Sequence, residues 1–210
     1  MVERQLRRRG IDDERVLAAM ASVPREHFVA ERLRGRAYED SALPIAEQQT
    51  ISQPWVVAAI CQALKLEGTE TVLEVGTGSG YSTAVLACLA GEVVSVERFA
   101  SLADEASRRL AELGFDKVEI RAGDGTKGVP ERAPYEAIAV HATAPCPPRT
   151  LLQQLVPGGR LVAPVAERDS DMLSVFERGT AGFERRDIAP CRFVPLLGDE
   201  GFAPPEGTAP

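Results

Sequence analysis

Three stretches of this 210-residue chain bring together residue types that can bind and orient a polar small molecule. In Glu74-Val75-Gly76-Thr77-Gly78-Ser79-Gly80, alternating glycines let the backbone turn sharply and approach a ligand closely, with a predicted helix N-terminus behind them. Glu97 closes the next β-rich run about twenty residues on, where a carboxylate can accept hydrogen bonds from both ribose hydroxyls. Asp124, in Gly123-Asp124-Gly125, is placed to bind an adenine amino group, although Asp is also common in such turns for local reasons. All three features fall at carboxyl ends of predicted strands, where open α/β sheets bind ligands.

Upstream, Gln48-Gln49-Thr50-Ile51-Ser52-Gln53-Pro54-Trp55 puts a hydroxyl just ahead of a helix. Ser52 either caps that helix or, with the free N–H groups behind it, holds a substrate carboxylate; the two readings are compatible. His141 has a pKa range that suits a general base, but a carboxylate acceptor has no proton to remove, so pocket lining is the expectation. A dinucleotide site wants its third glycine at position 81, where this chain has Tyr81. The observed Gly-x-Gly-x-Gly, preceded by acidic Glu74, is the variant associated with S-adenosylmethionine. That ligand, leaving as S-adenosylhomocysteine, is the expected cofactor.

The elements that must position these residues show a change of rhythm near residue 71. Residues 1–35 read as helical, with Pro24 separating two helices. Residues 38–45 read as an ordered loop, and a helix should follow Ser52 with Pro54 in its first turn. Strands are then predicted at 71–75, 92–97, 117–121, 135–140 and 160–165, with helices at 81–89, 102–113 and 149–155. Such alternation indicates βαβ units and a doubly wound, mostly parallel sheet, with 172–177 and 183–194 forming an antiparallel edge. One domain is expected over 1–202: N-terminal helices and a substrate-side segment to 70, a cofactor-binding α/β core from 71, and a disordered tail over 203–210.

Composition narrows the field. A hydrophobic share of 44% and a charged share of 26% are ordinary globular values. The basic start lacks a signal peptide's apolar stretch and no run is long enough to span a bilayer, so a cytoplasmic protein without a membrane partner is expected. Cys61, Cys88, Cys146 and Cys191 lie far apart and there are only two histidines, so no metal site is expected. A net charge of −7 argues against a nucleic-acid partner.

Several stretches resemble the protein-L-isoaspartate O-methyltransferase family. They are Tyr38-Glu39-Asp40-Ser41-Ala42-Leu43-Pro44-Ile45, Gln49-Thr50-Ile51-Ser52-Gln53-Pro54, the glycine turn with its flanks, Val96-Glu97-Arg98, Gly123-Asp124-Gly125, Pro157-Gly158-Gly159-Arg160-Leu161-Val162 and Arg192-Phe193-Val194-Pro195-Leu196-Leu197-Gly198. The resemblance covers about residues 1–202 in the family's order. The resemblance implies the class I S-adenosylmethionine-dependent methyltransferase (Rossmann-like) fold. It further implies methyl esterification of L-isoaspartyl carboxylates, and by extension D-aspartyl ones, in damaged proteins or peptides, with repair through a succinimide. Ser52 becomes the active-site serine.

Cofactor contacts are expected from Thr50, Ile51, Ser52, Glu74, Gly76, Thr77, Gly78, Ser79, Gly80, Tyr81, Glu97, Arg98, Asp124 and Gly125. Substrate contacts are expected from Ser41, Leu43, Pro44, Ile45, Gln53, His141 and Ala142, and the enzyme is expected to be a monomer. Trp55, Glu136 and the loop from His141 to Cys146 depart from the family pattern near the expected substrate mouth. They motivate a second reading, a carboxyl methyltransferase acting on a normal aspartate of a dedicated peptide or on a small acid.

Overall fold

A computed structural model describes residues 1–203; positions 204–210 of the expected tail lie outside the described residues. In chain order the regular elements are α1 (Glu14–Ser22), β1 (Leu43–Pro44), β2 (Thr50–Ile51), α2 (Pro54–Leu64), β3 (Thr71–Val75), α3 (Tyr81–Leu89) and β4 (Glu92–Glu97). They continue as α4 (Ala100–Glu112), β5 (Val118–Ala122), β6 (Tyr135–Val140), α5 (Arg149–Gln153), β7 (Leu155–Ala166), β8 (Asp171–Arg178) and β9 (Phe183–Cys191).

Seven strands form one sheet in the order β5-β4-β3-β6-β7-β8-β9. Pairings from β5 through β7 are parallel and those of β7 with β8 and β8 with β9 antiparallel, as expected. The central strands are nearly continuous apolar runs (Val72, Leu73, Val75; Val93, Val94, Val96), because both faces of a parallel sheet are covered. One face shares a core with Leu6, Leu17, Met20 and Phe28 of the N-terminal segment and with α2 and α3; the other packs Leu73, Val94, Ile138, Leu151 and Leu161. Strand order reverses between β3 and β6, and such a switch point leaves a crevice at the strands' carboxyl ends.

Three local expectations are corrected. Before Pro24 there is one α-helix, α1, whose N-cap Asp13 accepts from the amides of Arg15 and Val16. Beyond Pro24, which lacks a donor, the chain makes only the short 3-10 turns Arg25–Phe28 and Glu31–Arg36. Residues 43–44, read as loop, pair antiparallel with Thr50–Ile51. The hairpin turn places Glu47 and Gln48 at φ 54° and 56°, the left-handed sense that suits strand twist but costs non-glycine residues about 1 kcal/mol each. Finally, β7 begins at Leu155 rather than 160: Pro157-Gly158-Gly159 is absorbed as an irregularity in the β6–β7 register instead of ending the strand.

Candidate functional site

A cavity of about 880 Å³ opens where β3, β4 and β6 end, within the size range of small-molecule and cofactor sites. Its floor is residues 76–79 of the glycine turn, in which Gly76, Gly78 and, behind the floor, Gly80 take φ values of 97°, 54° and 89°. A side chain at Gly80 would meet Ala106 Cβ at 3.3 Å, so glycine lets α3 sit against α4. Glu97, only 5% exposed, ties the turn to β4: its Oε2 accepts the Gly78 amide at 2.8 Å and its Oε1 the Phe99 amide at 3.0 Å. Burial raises the Glu97 pKa, against the lowering effect of those backbone amides. Each oxygen keeps a lone pair for a hydroxyl donor.

Of the residues singled out in the sequence, Thr50, Ile51, Ser52, Gly76, Thr77, Gly78, Ser79, Tyr81, Glu97, Arg98, Gly125, His141 and Ala142 line this cavity. Two of them bring buried polar atoms without a hydrogen-bond partner among the described residues, Arg98 Nε and His141 Nε2. His141 Nε2 lies 3.2 Å from Glu74 Oε1 but out of line for a hydrogen bond. The apolar walls come from Val57, Val75, Val96 and Leu196. A carboxylate for a diol, a glycine backbone that admits close approach, apolar walls and unpaired polar atoms together fit S-adenosylmethionine.

Other expected residues stand elsewhere. Glu74 is fully buried behind the turn and does not line the cavity. Its oxygens accept from Ser82 Oγ (2.6 Å), Thr83 Oγ1 (2.5 Å) and Ser95 Oγ (2.6 Å), so it braces β3 against α3 and β4. Gly80 also lies behind the floor. Asp124 is engaged by the C-terminal segment, accepting from the amides of Thr126 (2.9 Å) and Asp199 (3.0 Å). Leu43 is core, Ser41 and Gln53 lie off the cavity, and Pro44 and Ile45 border a neighbouring 340 Å³ cavity that shares Gly78 and Ser79.

Ser52 stands one residue ahead of the N-cap of α2 and lines the cavity. Gln53 holds the N-cap position of α2 without a side-chain cap bond, and the Trp55 amide in the first turn donates to Asp40 Oδ1 at 3.4 Å, so the Ser52 hydroxyl is not spent as a cap. Its carbonyl accepts from Arg25 Nη2 at 2.8 Å. Of the three departures from the family pattern, only the loop from His141 to Cys146 reaches the cavity, through His141 and Ala142. Trp55 donates from Nε1 to the Arg9 carbonyl at 3.2 Å, and Glu136 accepts the Thr71 amide at 2.8 Å.

Three wall segments had no predicted role: 47–49, 99–101 and 194–197. The first two meet across the mouth, Ser101 Oγ donating to Glu47 Oε1 at 2.7 Å. The third is hung from Thr143, whose amide donates to the Val194 carbonyl at 2.8 Å and whose carbonyl accepts the Leu196 amide at 2.7 Å. Sequence periodicity carries no sign of such long-range pairing, although the 192–198 stretch was part of the resemblance.

A model of the family described as protein-L-isoaspartate(D-aspartate) O-methyltransferase (PCMT) matches residues 1–201. A Rhodopseudomonas palustris protein-L-isoaspartate O-methyltransferase is 51% identical over 208 residues, 98% of this chain and 95% of that one. A Methanoculleus marisnigri protein of the same name is 50% identical over 202 residues, covering 96% and 92% of the two chains. A solved protein-L-isoaspartate O-methyltransferase superposes with a TM-score of 0.83 at 30% identity, over 95% of this chain and 67% of that one. A Plasmodium falciparum structure, described as a beta-aspartate methyltransferase (PCMT) in complex with S-adenosyl-L-homocysteine, gives 0.77 at 25% identity over 91% and 94%. Whole-length agreement in both sequence and fold, over a cavity built for a nucleoside, places this chain in the protein-L-isoaspartate(D-aspartate) O-methyltransferase family.

Proposed function

We propose that Ser52 orients the acceptor carboxylate at one end of the cavity while Glu97 and the glycine turn hold the methyl donor. The chain is an S-adenosylmethionine-dependent methyltransferase that esterifies the free carboxylate of L-isoaspartyl residues in damaged proteins and so starts repair through a succinimide. The alternative acceptor, a normal aspartate or small acid, is not favoured by relatives that share the isoaspartate name at about half identity. The observation that carries the site reading is the joining of the Ser52 segment to the glycine turn and Glu97 in one cavity.

Bound S-adenosylmethionine supplies an electrophilic methyl group on a positively charged sulfur. Glu97 would accept from its ribose hydroxyls, and the turn's backbone would lie along the chain beyond. An isoaspartyl carboxylate, with a reference pKa near 4, is ionised at neutral pH, so no side chain need remove a proton. Ser52 has only to orient it, donating to one oxygen and leaving the other free. Ester formation removes charge, which the apolar walls favour over the hydrated ions.

We further propose that residues 1–202 work as one domain, supported by the core that N-terminal residues share with the sheet. A monomer is favoured by the charged edge strand β9, with Glu184, Arg185, Arg186 and Asp187, which discourages edge-to-edge pairing. No described helix is long and apolar enough to cross a membrane, in keeping with a cytoplasmic site of action, and the charge of −7 disfavours nucleic acid as a partner. The test is Ser52→Ala with saturating cofactor. Turnover of an isoaspartyl peptide should fall by roughly 10- to 100-fold while S-adenosylhomocysteine still binds. Full turnover would remove Ser52 from the chemistry.

A further inference from the structure

Arg25 takes no part in the reading above, yet its guanidinium is completely buried. It stands in the short turn after Pro24. Its Nε donates to the Ala37 carbonyl at 2.7 Å and its Nη2 to the Ser52 carbonyl at 2.8 Å. Its Cζ lies 4.6 Å from the centre of the Tyr81 ring, the first residue of α3 behind the glycine turn. Phe28 meets the same ring edge-on at 5.6 Å. Arg109, stacked over Phe28 at 5.8 Å, donates to the Ser79 carbonyl at 2.6 Å. An unbroken set of contacts therefore runs from Ser52 through Arg25, Tyr81, Phe28 and Arg109 to Ser79. Its two ends and Tyr81 line the cavity.

This placement is costly for a residue that only fills space. Burial pushes the Arg25 pKa down, and Nη1 has no hydrogen-bond partner among the described residues. An apolar side chain of similar volume would avoid burying the charge. What arginine adds is a rigid fork that reaches two carbonyls from different segments while its plane stacks on an aromatic face. The guanidinium anchors the Ser52 backbone directly, while Asp40 Oδ1 accepts the Trp55 amide at 3.4 Å in the first turn of α2.

We propose that Arg25 is a positioning residue that fixes the Ser52 hydroxyl relative to the methyl-donor turn. The proposal rests on the reading that Ser52 orients the acceptor. Displacement of a reacting group by about 1 Å costs on the order of a hundredfold in rate, so modest loosening here should be visible in turnover.

The test compares wild type, Arg25→Gln, Arg25→Lys, Ser52→Ala and the two Arg25 variants each combined with Ser52→Ala. For each, kcat and KM for an isoaspartyl peptide are measured, with calorimetric affinity for S-adenosylhomocysteine. Arg25→Gln should lower kcat by roughly 10- to 100-fold and change cofactor affinity by less than about threefold. In the Ser52→Ala background the same substitution should cost less than about threefold, because the residue acts through Ser52. Arg25→Lys, which keeps one donor, should recover part of the loss. If Arg25→Gln does not fold, Arg25→Lys is compared in the two backgrounds in its place. Unchanged kcat in the Arg25 variant, or equal loss in both backgrounds, would overturn the proposal. Ser52→Ala at full turnover would instead overturn the reading of Ser52 on which it stands, and the single variants tell these failures apart.

Discussion

Glu97 Oε2 and the Gly78 amide are 2.8 Å apart, which locks the end of β4 to the middle of the glycine turn and faces a buried carboxylate into the cavity. Replacing Glu97 with Gln keeps the shape but removes the charge that strengthens bonds from hydroxyl donors. Such charge-assisted bonds contribute about 1.5–3 kcal/mol, so S-adenosylhomocysteine should bind roughly 10- to 100-fold more weakly by calorimetry. An unchanged affinity would take Glu97 out of the cofactor site.

The same carboxylate gives a pH signature. Burial raises its pKa above the usual glutamate range, and the form that accepts from two hydroxyls is the ionised one. Cofactor affinity should therefore weaken on acidification at a pH above the ordinary value near 4.3, with a proton released when the ligand binds below neutral pH. Wild type should show this slope at pH values above the ordinary glutamate value and Glu97→Gln should not. Parallel slopes for the two proteins would contradict the assignment.

Glu74 should behave as a brace and not as a ligand. Glu74→Ala leaves the hydroxyls of Ser82 and Thr83 buried without that acceptor, while Ser95 keeps Thr77 Oγ1 as a partner. Each unsatisfied buried group costs about 1–3 kcal/mol, so denaturant melts should show a loss of roughly 2 kcal/mol or more. Glu74→Gln, which keeps an acceptor, should lose less. Equal stability of Glu74→Ala and wild type would refute the brace.

Asp124 makes a prediction about acid stability. Burial alone would raise its pKa, but the amides of Asp199 and Thr126 and the Thr126 hydroxyl lower it overall. A depressed folded-state pKa gives stability that is fully present above the unfolded value near 3.9 and lost as pH falls through the folded value. Asp124→Asn should therefore be less stable than wild type at neutral pH, with the gap closing on acidification below about pH 4. A gap that stays constant with pH would mean the carboxylate's charge is not what holds the 198–200 segment.

Elements encoded by near neighbours in the chain are the ones legible in the sequence. The units from β3 to β4 were legible to the residue at 71–75, 81–89 and 92–97, because apolar runs, a glycine turn and a helical repeat are each encoded within a few neighbours. Glu74 misled because acid beside glycine reads as a ligand contact. Its partner Ser95 sits across the ladder in register and Ser82 and Thr83 come from the next helix, which spacing does not reveal. Arg25 was unreadable for a similar reason: a lone arginine after Pro24 looks like solvated charge until the fold brings Ser52 and Tyr81 to it. The hairpin of β1 and β2 escaped notice because two-residue strands are too short to show alternation.

The most direct test offers one peptide in two forms, with L-isoaspartyl or normal aspartyl at a single position, to the enzyme with methyl-labelled S-adenosylmethionine. Base-labile label should appear on the isoaspartyl form alone, followed by loss of methanol as the succinimide closes. Label on the aspartyl form at a comparable rate, or on neither, would contradict the account.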